Sequence, residues 1–246
     1  MKIAHISDLH LTERGKIIWD TDTLCHFSQM LNKLRAIDGL DAVVITGDIS
    51  DDGSKWTYEY LDNALAKMDI PVYCIPGNHD SLPMFYQVYK PHFYSTCGRV
   101  IINDWKFLFL NSVIQDSKDL NTNMSRGYIS NEDLDFIDKD LSDGLPTCLC
   151  LHHPPIEPGG WLNRKILENR YDFNNIIAKH SNARCILYGH IHCYTQMTIA
   201  QTMYISASSI AFAFDKDLPK FQITKGTEGF NIITLDENIS VEKILI

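Results

Sequence analysis

Five times along the chain an apolar run ends in a short polar motif. Lys2–Ser7 leads into Asp8-Leu9-His10, Ala42–Thr46 into Gly47-Asp48, and Val72–Ile75 into Gly77-Asn78-His79-Asp80. Thr147–Leu151 leads into His152-His153-Pro154-Pro155, and Cys185–Tyr188 into Gly189-His190-Ile191-His192. Each run reads as a strand. Ala42–Thr46, apolar at both parities, has the character of a strand buried on both faces. Between the first three runs lie two segments of helical period. Thr21–Ile37 carries Leu24, Phe27, Leu31 and Leu34 at three- and four-residue spacing, with Asp22 as a cap and Gly39 as a stop. Ser54–Met68 carries Tyr58, Leu61, Leu65 and Met68 on one stripe. The β-α-β-α-β order predicts a parallel sheet with right-handed crossovers. In such sheets ligands gather at the C-terminal strand ends. All five motifs are predicted there, so residues distant in sequence converge without special loop geometry.

The middle of the chain changes character. Arg99–Ile102 and Lys106–Leu110 read as a hairpin around Asn103-Asp104, and Ser130–Leu141 as a helix opened by a capping-box-like Ser130-Asn131-Glu132-Asp133. Thr147–Leu151, helix Asp172–His180 and Cys185–Tyr188 resume the α/β alternation. Short strands follow at Tyr194–Ile199, Met203–Ser206, Gly229–Leu235 and Ile239–Leu245. No linker, low-complexity tract or internal repeat divides the 246 residues. The expectation is an α/β fold in one domain, residues 1–246, with two mixed β-sheets packed face to face and helices outside.

A net charge of −9 argues against a broad nucleic-acid face, which needs Lys and Arg in excess, so no nucleic-acid duplex is expected as partner. It does not exclude a small anion, because bound dications would reverse the local field. No secretory signal pattern opens the chain, and no run reaches the roughly 18 apolar residues of a membrane span. The seven cysteines lack CxxC spacing and mostly sit in apolar runs, which reads as buried free thiols in a reducing cytoplasm, Cys193 included. The expected location is cytoplasmic, without a membrane partner, as monomer or homodimer.

The motifs offer two carboxylates (Asp8, Asp48), one amide (Asn78) and four imidazoles (His10, His152, His190, His192). That oxygen-and-nitrogen set suits two borderline divalent metals such as Mn, Fe or Zn. Paired ions about 3.5–4 Å apart commonly serve phosphate-ester hydrolysis. Asp8 and His10 are two apart, so on extended chain their side chains point the same way, and His190 and His192 repeat the spacing. An unpaired Asp48 at the end of a buried strand would cost several kcal/mol, a cost that bridging two ions removes. Asn78 and His79 diverge from a Pro-Gly turn, so one can coordinate while the other faces substrate. His153 reads as a loop-shaping neighbour, and His5, His26, His92 and His180 as structural or exposed.

Taken in order, these motifs resemble the calcineurin-like metallophosphoesterases, whose two-sheet, four-layer fold they imply. The His-His-Pro-Pro form, the compact length and the tail around Ser206–Ser209 and Gly229–Leu235 are similar to the class III cyclic-nucleotide phosphodiesterases of bacteria. By resemblance, Asp8, His10, Asp48 and His192 hold one metal, and Asp48, Asn78, His152 and His190 the other. His79 acts at the leaving oxygen and Asp80 supports it. The family's lipid-precursor pyrophosphatases carry Arg where this chain has His79, which counts against that branch. The implied activity is phosphodiester hydrolysis, with 3′,5′-cyclic nucleotides such as cyclic AMP as the small-molecule substrate. A metal-bound hydroxide is the implied in-line nucleophile. A broader phosphatase or glycerophosphodiesterase on the same site, or a non-catalytic metal-binding scaffold, stands as the alternative. Trp161, Tyr171, Phe212 and Phe214 are candidates for a nucleobase wall. His10–Asp20 and Gly159–Tyr171 match no pattern and are the loops expected to decide the substrate.

Overall fold

The computed structural model describes residues 1–89, 97–114 and 126–246. The first sheet has the order β13-β12-β1-β2-β3. Strands β1 (Lys2–Ile6), β2 (Ala42–Thr46) and β3 (Val72–Ile75) run parallel, joined through helices α1 (Thr23–Arg35) and α2 (Lys55–Leu65). Strands β12 (Gly229–Thr234) and β13 (Ser240–Leu245) return antiparallel beside β1. The second sheet has the order β4-β5-β6-β7-β9-β8. Its parallel centre is β5 (Trp105–Leu110), β6 (Thr147–Cys150), β7 (Ala183–Tyr188) and β9 (Thr202–Ser206). The antiparallel edges are β4 (Cys97–Ile102) and β8 (Gln196–Ile199). A short ribbon pairs β10 (Ala213–Phe214) with β11 (Ile223–Thr224).

Three apolar cores set the layers. Between the sheets, Ile3, Val44, Ile75 and Ile233 meet Phe107, Phe109, Cys148, Cys150, Cys185 and Leu187. This explains why both faces of the central strands are apolar: all five residues of β2 are buried. Outside the first sheet, Phe27, Leu31 and Leu34 of α1 and Tyr58, Leu61 and Leu65 of α2 cover Val43 and Ile45. Outside the second, α4 (Asn131–Asp140) and α5 (Arg170–Ile177) bring Leu134, Ile137 and Phe173 onto Leu149 and Ile186. The result is the expected pair of mixed sheets flanked by helices.

Local signals act where expected. Asp22 accepts from the Cys25 amide at 2.9 Å and Ser130 from the Asp133 amide at 3.1 Å, capping α1 and α4. Observed boundaries lie within a few residues of those read from the sequence, as fraying ends allow. A helix absent from the sequence reading, α3 (Leu82–Tyr89), follows the Gly77–Asp80 turn and buries Leu82, Phe85 and Tyr89. Proline at its second position is tolerated because the first-turn amides need no helical acceptor. Among the described residues no helix is long and apolar enough to cross a membrane. Cys74, Cys148, Cys150 and Cys185 are buried free thiols, Cys193 is half-buried and Cys25 exposed. Burial pushes the Cys193 thiol up to about 12, which disfavours its thiolate.

Candidate metal centre

The five motifs meet at one edge. Beyond β1 and β2 the backbones keep pairing, with the amides of Asp8, His10 and Leu11 donating to the carbonyls of Gly47, Asp48 and Ile49. Five motif residues have left-handed backbone: Asp8 (φ 54°), His10 (φ 42°), Asp48 (φ 50°), His190 (φ 72°) and His192 (φ 50°). A non-glycine residue there costs about 1–2 kcal/mol, and such strain clusters at functional sites. The i, i+2 pairs therefore converge through tightly curled backbone rather than through the extended chain first expected. The intervening Leu9 and Ile191 are fully buried, one in each outer core. Two glycines make the close approach possible: a Cβ at Gly77 would overlap Asp48 Oδ1, and one at Gly189 would overlap Ser7 Oγ.

Three groups of ligating atoms result, two of them wholly buried, the third joining His10 to the more exposed Asp51 and His79. Asp8, His10, Asp48 and His192 form one, all buried. His152 and His190 form the second, together with His153, and the Asn78 amide oxygen lies 3.2 Å from His152 Nε2. Asp48 Oδ2 lies 3.6 Å from His10 Nε2 and 3.3 Å from His152 Nε2, so one carboxylate oxygen faces both buried groups.

Tautomers settle what these atoms can do. His152 Nδ1 donates to the Thr46 carbonyl at 2.7 Å, His192 Nδ1 to the Phe212 carbonyl at 2.8 Å, and His10 Nδ1 to Asp51 at 3.0 Å. Each neutral ring then turns an unprotonated Nε2 inward. Yet His10 Nε2 and His192 Nε2 are 3.1 Å apart, and His152 Nε2 is 3.1 Å from His190 Nδ1. The His10 and His192 lone pairs, aimed at each other at hydrogen-bond distance beside two carboxylates, are repulsive unless a cation or a proton lies between them. The donor set therefore fits one divalent ion at each buried group, with the carbonyl and carboxylate partners orienting the rings. With no cation the same conflict is relieved by protons. Burial pulls the His152 imidazole down, but Asp48 and Asp8 more than offset this and raise it to about 9. Asp48 stays well below the usual carboxylate range because His152 outweighs its own burial.

The remaining motif residues are distributed around this centre. His79 is 45% exposed, with Nδ1 3.2 Å from Asp51 Oδ1 and its ring edge-on to His10. Burial opposes its charge, but Asp51 and Asp48 raise it to about 8. Asp80 lies behind the pocket. It accepts from the amides of Ile49, Ser50 and Gly77 and from the Tyr58 hydroxyl at 2.8–3.2 Å, tying the Asn78-His79 turn to the end of β2. Burial and the nearby Asp48 charge raise it to about 6. His153 is fully buried; Nδ1 bonds Ser112 Oγ at 2.8 Å, while Nε2 has no hydrogen-bond partner. His5 bonds Thr46 Oγ1 at 2.9 Å, His26 the carbonyls of Ile210 and Ala211, and His180 Asp138 at 2.6 Å, all away from the centre. His92 lies outside the described residues.

A cavity of about 350 Å³ opens over the centre. Its lining combines His10, Asp48, Asn78, His190 and His192 with Asp51, His79 and Lys165 on the polar side, and Phe212, Phe214, Phe221 and Trp19 on the aromatic side. Of the aromatic residues singled out from sequence, Phe212 and Phe214 line it. Trp161 stands behind, its ring 5.5 Å from Phe214. Tyr171 is 67% exposed under the Arg170 guanidinium and is not part of the lining. Trp19, Phe221, Asp51 and Lys165 escaped the sequence reading. For Trp19 and Lys165 the signal was present, since both lie in the two loops that matched no pattern.

The chain's relatives agree with this geometry. Residues 1–194 match the model of the calcineurin-like phosphoesterase family. The chain is 29% identical to a 3′,5′-cyclic-nucleotide phosphodiesterase of Nostoc sp., over 96% of this chain and 88% of that protein. It is 30% identical to a probable cyclic nucleotide phosphodiesterase of Coxiella burnetii, over 88% and 86%. With the 3′,5′-cyclic adenosine monophosphate phosphodiesterase of Escherichia coli K12 it shares 28% identity over 96% and 85%. Among solved structures, a dimetal phosphatase from Danio rerio has the same fold, with a TM-score of 0.71 at 15% identity, covering 98% of this chain and 95% of that one. The chain belongs to the calcineurin-like phosphoesterase family and is a metal-dependent phosphoesterase.

Proposed function

We propose that the protein is a dimetal phosphodiesterase that hydrolyses 3′,5′-cyclic nucleotides, cyclic AMP among them. Asp8, His10, Asp48 and His192 would hold one ion and Asp48, Asn78, His152 and His190 the other. Bound there, two divalent ions supply Lewis-acid charge on the phosphoryl oxygens and a water deprotonated near neutral pH. His79 stands at the pocket with its Nδ1 held by Asp51, so Nε2 is left to stabilise or protonate the leaving ribose oxygen. Asp80 acts through the turn, fixing where Asn78 and His79 point.

The observation that carries the nucleotide reading is an aromatic ladder leading away from the centre. His192 stacks on Phe214 at 4.2 Å, Phe214 meets Phe221 at 5.2 Å, and Phe221 meets Trp19 at 5.6 Å. Trp19 is held at a left-handed φ of 49° with its ring 59% exposed at the pocket mouth. A bulky residue in that conformation is a backbone outlier, and here it displays an indole on the cavity wall, which supports a stacking surface for a base. The relatives named cyclic-nucleotide phosphodiesterases support the same reading.

Stacking of a base on an aromatic side chain contributes about 1–3 kcal/mol. Trp19→Ala is therefore expected to lower kcat/KM for cyclic AMP by roughly tenfold while leaving bis-p-nitrophenyl phosphate, which has no base, within about threefold. Measuring both diesters beside p-nitrophenyl phosphate, with the metal-loaded protein, tests the assignment. A wild-type preference for the monoester would overturn the diesterase reading. Equal losses on both diesters would remove the nucleobase from it.

A further inference from the structure

Lys165 is the one lysine or arginine lining the cavity among the described residues, and neither the metal groups nor the aromatic ladder accounts for it. It closes the 3-10 turn Gly160–Arg164, its amide donating to the Leu162 carbonyl at 2.8 Å. The segment is pinned on both sides. Before Lys165, the Trp161 indole donates to the Asp215 carbonyl at 3.0 Å. After it, the Leu167 amide donates to Pro154, directly beyond the His152-His153 pair, and the Glu168 amide to Gly127. The side chain is half-buried, and among the described residues its ammonium has no hydrogen-bond or ion-pair partner.

A lysine on a fixed support, half out of water and without an acceptor, has lost solvation and gained no hydrogen bond in the resting protein. The charges that favour its ammonium there are Asp48 and Asp8, both members of a candidate metal group. Once the centre is loaded, four positive charges exceed the two carboxylates, and the ammonium faces a net cationic cluster. Only an anion between the two makes that arrangement favourable. Lys165 bears on His190 and His153, whereas His79 packs against His10 and Asp51. Both Lys165 and His79 line the one cavity. We propose that Lys165 is a substrate-binding residue that holds a non-bridging phosphate oxygen, so that affinity tracks the negative charge of the ligand. This rests on the diesterase reading for the identity of the substrate, but the anion site itself does not.

Charge-assisted hydrogen bonds are worth enough to change affinity by about 10- to 100-fold. Lys165→Met is expected to raise KM for bis-p-nitrophenyl phosphate by that factor with kcat within about threefold. Inorganic phosphate, as the probe in calorimetry with the manganese-loaded protein, should lose affinity by the same factor. Lys165→Arg should restore both to within a few-fold, because the charge returns. Metal content by elemental analysis should match wild type in both variants. The proposal is overturned by unchanged phosphate affinity in Lys165→Met, by a kcat loss at constant KM, or by failure of Lys165→Arg to retain phosphate affinity at wild-type metal content. If the wild-type protein hydrolyses neither diester, the functional reading fails alone; the phosphate titration still decides the role of Lys165.

Discussion

Asp48→Ala is expected to remove nearly all activity, with turnover on bis-p-nitrophenyl phosphate falling by about 10³-fold or more. One oxygen of this carboxylate faces His10 on one side and His152 on the other, while its second oxygen accepts the His79 amide at 2.8 Å. A single truncation thus opens both metal groups and loosens the turn that carries Asn78 and His79. Metal ions supply several kcal/mol of charge stabilisation in such reactions, and each 1.36 kcal/mol is a factor of ten in rate. Elemental analysis should show bound metal falling below one ion per chain. Asp48→Asn keeps the shape and one acceptor oxygen but not the charge, and should lie between alanine and wild type in metal content. Wild-type metal content together with wild-type turnover in Asp48→Ala would remove the bridging role.

His79→Ala separates chemistry from metal binding. His79 packs on His10 but contributes no atom to the two principal groups, so both ions should remain bound. Turnover on cyclic AMP should fall by roughly 10²–10⁴, the usual contribution of a general acid. The ribose oxygen is a poor leaving group and needs that help; p-nitrophenolate does not. On bis-p-nitrophenyl phosphate the loss should therefore shrink to about tenfold or less. Asp51→Asn should reproduce part of the effect, since Asp51 orients His79 and His10 through one oxygen. An equal loss on activated and unactivated esters would assign His79 to some other task.

The architecture was largely legible because burial on two faces leaves a direct imprint. Ala42–Ile45 is apolar at every position, and Ala42–Thr46 buried throughout, since one sheet face meets α1 and α2 and the other meets the second sheet. The cap residues Asp22 and Ser130 were legible for the same reason: they act on neighbours three positions away. Leu82–Tyr89 was passed over because Pro83 and a cluster of aromatics resemble loop punctuation, although Leu82, Phe85 and Tyr89 keep a helical spacing. The motif residues were visible as chemistry, but not the manner of their convergence, which depends on five left-handed residues that no pattern of polarity reports.

What sequence reading missed is tertiary in origin. Asp51-Asp52 has the look of a solvated acidic pair, and only the fold brings Asp51 within 3.2 Å of two imidazoles. Trp19 and Phe221 come from segments far apart in sequence that meet at the pocket mouth. Tyr171, in the loop expected to shape the substrate site, turns outward, whereas Lys165 of the same loop turns in. Locating the substrate loops was possible from the motifs they adjoin; choosing the residues within them required knowing which faces they present.

Phosphodiester hydrolysis by this chain is proposed to need two ions, one at each cluster of inward-facing imidazoles. Titrating the chelated protein with Mn²⁺ while following bis-p-nitrophenyl phosphate hydrolysis tests this proposal most directly. No turnover is expected in the metal-free protein, with a rise to a plateau as the second equivalent of metal binds. Full activity in a rigorously metal-free preparation, or saturation with two ions and no hydrolysis, would contradict the proposal.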